Sequence, residues 1–211
     1  MTHRYLRNAL IASSLSLGIA FGQANMKRSL TAETNPVALP ALPAQTSQPK
    51  PGSQMERLLR AFEGTWTTKE NMAPDAALPN GATGEGQIVW RSGPGGFSVI
   101  EDYTSKQGAR SVAGLGVFWW DEAANGYRTI WCDSTNPGGC ISFKSVARWA
   151  GAQLVLVEDY DANGKKVTFK EVFGDITSTG FTQTLYGGES GKELKVDQTI
   201  RATKMSPQPP R

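Results

Sequence analysis

The feature that most constrains this chain is a change of period. Met55, Leu58, Leu59 and Phe62 recur at the i, i+3, i+4, i+7 spacing of one helical face. From Gly64 onward the alternation drops to two and is interrupted at short intervals by turn residues. Strands are predicted near 64–70, 84–91, 96–104, 111–120, 126–132, 140–149, 153–160, 165–173, 180–187 and 193–203. Asn125-Gly126, Asn163-Gly164 and the run from Gly187 to Gly191 supply the positive-φ conformations that tight hairpins need. A meander of about ten strands leaves two edges unpaired unless it closes. The expected fold is therefore all-β, a closed up-and-down antiparallel barrel of about ten strands behind a short helix. Ser53 and Glu56 are spaced as that helix's capping box. A sandwich is the poorer fit, because the connections after Gly81 are mostly hairpin-sized.

The barrel domain is placed at 53–205, and the rest of the chain has a different character. A basic start (His3, Arg4, Arg7), an apolar run from Ala9 to Gly22 and the small-x-small site Gly22-Gln23-Ala24 predict a signal peptide over 1–24. The run is shorter than the ~20 residues that span a bilayer, so no membrane span is expected after processing. Residues 25–52, with Pro36, Pro40, Pro43, Pro49 and Pro51 and few residues able to form a core, read as a disordered spacer. Residues 206–211 read as a tail. The expected location is the periplasm or the cell exterior.

Processing has a chemical consequence, because His3 is the only histidine in the sequence. A mature chain without imidazole has no Ser-His-Asp or Cys-His site and none of the usual histidine-bearing zinc or haem sites. Loss of Arg4 and Arg7 from 22 basic residues leaves 20 against 19 acidic ones. With no basic stripe among them, nucleic acid is not an expected partner. No catalytic residue, cofactor or metal is assigned, and the oligomeric state is not legible.

Alternate side chains of a barrel strand point inward, and the apolar phase marks that face. It selects Ile88 and Trp90; Tyr127, Thr129 and Trp131; Ile141, Phe143, Ser145, Ala147 and Trp149. In the later strands it selects Val167, Phe169, Glu171 and Phe173; Phe181, Gln183 and Leu185; Leu194, Val196, Gln198 and Ile200. Glu171, Gln183 and Gln198 thus form a polar ladder in an apolar lumen, with Thr129 and Trp131 on the same face. Mostly apolar pockets with a few convergent polar groups are what small molecules occupy. The other reading is that a bulge sends one of these groups to the rim, or that buried water satisfies them. The acid pairs Glu101-Asp102, Asp121-Glu122 and Glu158-Asp159 are expected to be solvated or in turns, since neighbours on a strand face opposite ways.

The segment LLRAFEGTW, ending in Gly64-Thr65-Trp66, is similar to the opening of lipocalin-like barrels. Further along the chain come Gly114-Leu115-Gly116, Trp119-Trp120-Asp121, Tyr127 and Trp131-Cys132-Asp133. With these the chain resembles the bacterial family called domain of unknown function 1579, over roughly Met55 to Met205. The resemblance implies a calycin-type barrel and a structural role for Gly64 and for Trp66, which would plug the closed end. It supplies no catalytic residues. Related barrels hold haem through a histidine, which this chain lacks.

Cys132 and Cys140 are the only cysteines. They end one predicted strand and open the next across Asp133–Gly139, and in an oxidising compartment they are expected to form an outward-facing disulfide. Three functions remain open: a barrel binding a small, largely apolar ligand, a histidine-free acid/base enzyme using Glu171, and an envelope interaction module with a filled barrel.

Overall fold

The computed structural model describes residues 50–74 and 78–206. The expected signal peptide at 1–24, all but the last three residues of the spacer, and the tail beyond 206 lie outside them. A helix, α1 (Ser53–Phe62), is followed by β1 (Gly64–Met72), β2 (Ala82–Ser92), β3 (Val99–Gln107), β4 (Arg110–Asp121), β5 (Gly126–Asp133) and β6 (Cys140–Ser142). Then come β7 (Arg148–Ala150), β8 (Gln153–Ala162), β9 (Lys165–Gly174), β10 (Gly180–Glu189) and β11 (Lys195–Lys204). All eleven strands lie in one antiparallel sheet, in the order β6-β5-β4-β3-β2-β1-β11-β10-β9-β8-β7. Each strand except at the two edges pairs with its chain neighbours, and β1 pairs with β11 from Trp66↔Lys204 to Met72↔Gln198.

The sheet is strongly curled, and its edges belong to consecutive segments. Tyr127 and Ala147 exchange two backbone hydrogen bonds, 2.9 and 2.8 Å, and so bridge β5 to the residue before β7. The edges therefore meet at one bridge rather than along a ladder. The single strand expected over 140–149 is corrected to two, making eleven strands instead of ten. In this stretch the chain leaves β5 for β8, and a carboxylate replaces the missing ladder bonds: Lys144 and Ser145 N–H donate to Glu158 at 3.2 and 2.7 Å. Glu158, expected in solvent, is buried at that seam.

The capping box is also corrected. Ser53 already lies inside α1, and the cap is Gly52, whose carbonyl accepts from Met55 and Glu56 N–H at 3.0 and 3.4 Å. The apolar face does as its spacing demands and buries Met55, Leu58 and Phe62. Phe62 stacks on Trp90 at 4.8 Å and meets Phe173 and Phe181 edge-on at 5.2 and 5.3 Å. Trp66 donates its indole N–H to the Phe62 carbonyl at 2.7 Å, and Lys204 Nζ lies 5.0 Å from its ring centroid. Gly64 turns the chain from helix to strand at φ 124°. A Cβ there would come within 2.8 Å of the Lys204 side chain. This end is filled jointly by α1 and Trp66.

The inward phase is corrected at one strand. The register slips between Leu185 and Tyr186, whose partners on β11 are Gln198 and Val196. Asp197 is thus an extra, bulged residue that inverts the alternation before it, and Val196 is exposed.

Candidate functional site

Away from α1 the inner face changes character. The alternation of β1 turns Thr68, Glu70 and Met72 inward after Trp66, and that of β3 turns Glu101, Tyr103, Ser105 and Gln107 inward after Val99. The neighbouring strands make room for these side chains with glycine. A Cβ on Gly86 would sit 2.2 Å from the Thr104 carbonyl oxygen, and one on Gly114 would sit 2.4 Å from the Trp131 ring. A Cβ on Gly84 would lie 3.1 Å from Glu70 Oε2, and one on Gly116 would lie 3.0 Å from Glu101 Oε2.

This half of the barrel holds a cavity of about 240 Å³. Phe118, Trp131, Phe143, Phe169, Leu185 and Ile200 form much of its apolar wall. Its polar lining is Glu101, Tyr103, Gln107, Thr129, Glu171, Gln183 and Gln198. Arg110 at the start of β4, Asp133 at the end of β5, and Thr135 and Asn136 just after it stand at the open end. The five residues expected on the inner face from sequence (Glu171, Gln183, Gln198, Thr129 and Trp131) all line this one cavity. The Cys132–Cys140 disulfide lies beside its mouth, closing the turn that carries Asp133, Thr135 and Asn136. Cys140 is exposed and Cys132 half-buried.

The expected ladder divides into two polar groups. In the first, the Glu70 carboxylate accepts from Thr68 Oγ1 (3.1 Å), Tyr103 OH (2.8 Å), Gln107 Nε2 (3.1 Å) and Gln198 Nε2 (3.2 Å). Gln198 therefore turns to Glu70 on the adjacent strand, a charged acceptor stronger than the neutral amide of Gln183. Burial and the nearby Glu70 charge push the Tyr103 hydroxyl well above its ordinary range.

In the second group, Gln183 Nε2 donates to Glu171 Oε1 at 2.6 Å, while Gln183 Oε1 is buried with no donor among the described residues. Glu101 is 2 % exposed and carries no hydrogen bond or ion pair to the described residues. Burial holds its carboxyl well above the usual range, and repulsion from Glu171 and then Asp102 adds to the shift. Glu171 keeps part of its surface toward the cavity but sits beneath apolar walls. Burial pushes it up to about 7, against a smaller opposing effect of the Gln183 amide. The two carboxyls come from β3 and β9, so curvature alone brings them together.

The solvated position expected for Glu101 is thus corrected: Asp102 takes the outer face, where it pairs with Arg91 at 2.9 Å, and Glu101 points in. Glu70 and Glu101 were missed in the sequence because their inner phases are largely polar, which hides the apolar alternation. The usable signal was the aromatic at the next inward position, Tyr103. Among the described residues no group of potential ligands clusters as a metal site, and no helix is long and apolar enough to cross a membrane.

The fold and site define a lipocalin-like β-barrel with a part-polar internal cavity. No family model matches the chain, and no curated protein matches it. Among solved structures it is similar to the S-type phycobiliprotein lyase CPES of Guillardia theta, at 11 % identity and a TM-score of 0.48. That likeness covers 72 % of this chain and 93 % of the lyase, and is too low to carry a function across.

Proposed function

We propose that this barrel binds one small, largely apolar molecule with a single polar head, in the cavity between β3 and β9. One observation carries the reading: an apolar-walled cavity contains a buried carboxyl, Glu101, and a buried amide oxygen, Gln183 Oε1, that no described residue satisfies. Unmet buried polar groups cost free energy that a matching ligand group recovers. At about 240 Å³ the cavity is below the ~300–1,000 Å³ of drug-sized pockets, so the ligand is compact. Export belongs to the same reading, supported by the leader pattern at 1–24 and by a disulfide of the kind that persists in oxidising compartments. Membership of the domain of unknown function 1579 family is part of the same proposal, supported by the residue pattern from Leu58 to Asp133.

The test is native mass spectrometry of the processed protein purified from its own source. An equimolar small molecule, absent from a Leu185→Trp variant with the cavity filled, supports the reading. A bare chain, with a mass beginning at Asn25 or elsewhere, counts against it.

An acid/base enzyme is the second reading. A carboxyl pushed up to about 7 is suited to proton transfer near neutrality, and Glu171 is one. Recovery of the bound molecule chemically unchanged after prolonged incubation would argue for a carrier, and conversion abolished by Glu171→Gln would argue for the enzyme.

A further inference from the structure

We infer that the polar head of the ligand is a protonated amine, held by Glu171, Gln183 Oε1 and Glu101 with its apolar body against Phe118, Phe143 and Phe169. The inference rests on the ligand-binding reading and names the chemistry of that ligand.

The donor and acceptor balance of the cavity points this way. Around Glu70 the balance is already met, because one carboxylate accepts four hydrogen bonds. Around Glu171 it is not. Gln183 turns its amide nitrogen to Glu171, and its buried oxygen, which can only accept, is left without a donor among the described residues. Gln183 is 6 % exposed and Glu101 2 %, so both sit deep in the barrel. The oxygens of Glu101, Glu171 and Gln183, from β3, β9 and β10, thus belong to one cavity with no cation beside them among the described residues, whereas Asn136 Nδ2, an unpaired donor in the same lining, belongs to the turn after β5; an ammonium offers three N–H donors and a positive charge. Phe143 and Phe169 stack at 5.7 Å in the same wall, and aromatic faces favour a cation beside them. A ligand carboxylate would bring further acceptor oxygens to a site whose unpaired Gln183 oxygen needs a donor. Among the described residues the cation lining the cavity is Arg110 at the start of β4, at the mouth with Asp133. Glu70, buried in the same half, is not part of the cavity lining and accepts from Tyr103 and Gln107.

An ammonium seated here makes the ionised form of Glu171 favourable, so binding drives a proton off that carboxyl. The proton goes to buffer, and charge balances as one cation gained against one proton lost.

The test uses four probes on one ring: 2-phenylethylamine, 2-phenylethanol, 3-phenylpropanoate and ethylbenzene. Each is titrated calorimetrically into the processed protein near pH 6.5, in two buffers of different ionisation enthalpy. The expected result is that the amine binds roughly 10- to 100-fold tighter than the alcohol, the range of a charge-assisted hydrogen bond, and alone releases a proton. Glu171→Gln, shown folded by circular dichroism, should remove both the preference and the proton release while leaving ethylbenzene binding intact. Equal or tighter binding of the alcohol or the carboxylate overturns the amine assignment and leaves the ligand reading standing. Failure of all four probes, together with a bare chain in native mass spectrometry, overturns both.

Discussion

Glu101 and Glu171 repel one another inside the barrel although four strands, β2, β1, β11 and β10, separate their own in the sheet. Neither is neutralised by a cation among the described residues, so the fold carries a pair of buried acids whose charged forms it disfavours. That cost is visible in the pH dependence of stability.

Glu171 is raised from 4.5 to about 7, so between those values the folded state binds more protons than the unfolded one. Its stability contribution is complete below the unfolded value and is lost as pH rises through the folded one, a fall on the order of 3 kcal/mol. Glu101 shifts in the same direction. Asp121 and Glu189, held low by Arg128 and Lys192, act below this window. Urea denaturation at pH 4.5, 6 and 8 should show falling stability in the unmodified protein and a flatter profile in Glu171→Gln. Parallel profiles would place Glu171 in solvent.

Gly86→Ala should be the more damaging of two small substitutions. Its Cβ would meet the Thr104 backbone at 2.2 Å, where nothing flexible can yield, and overpacking of this kind costs ~1–3 kcal/mol. At Gly108, where a Cβ meets nothing within 4 Å, the strain comes from the positive φ of 62° alone. A Gly86→Ala variant within ~0.5 kcal/mol of the parent in chemical denaturation would mean that β2 and β3 are not packed as described.

Trp66→Ala removes a fully buried ring, its N–H bond to Phe62 and its contact with Phe181. A loss of ~3–5 kcal/mol is expected from equilibrium unfolding. A loss below ~1 kcal/mol would show that α1 alone fills this end.

The cysteine pair gives a chemical test. Denatured, unreduced protein should contain no free thiol, as the Cys132–Cys140 bridge requires. Replacing both by serine should cost about 2.5 kcal/mol by loop-closure entropy. Two titrating thiols would contradict the bridge.

The strand order and most inner positions were legible because turn residues and apolar alternation are local signals. Phe169, Phe173 and Phe181 are buried as their phase requires. The seam at 140–150 was not legible, since a chain that changes partner in mid-run keeps its alternation while its hydrogen bonds pass to Glu158. The bulge at Asp197 has no composition cue, and it alone moved Val196 outward. Within the site, Glu171, Gln183 and Gln198 stood out against apolar neighbours. Glu101 did not, because its contact with Glu171 is made by curvature and not by sequence spacing.

The most direct measurement of the central claim is nuclear Overhauser spectroscopy between a bound probe, the co-purified molecule or 2-phenylethylamine, and the protein. Cross-peaks from the probe to Phe118, Phe169 and Trp131, with a shifted Gln183 side-chain amide, are the predicted result. Cross-peaks confined to the exposed Phe97, Leu115 and Val196 would place binding on the outer surface and contradict it.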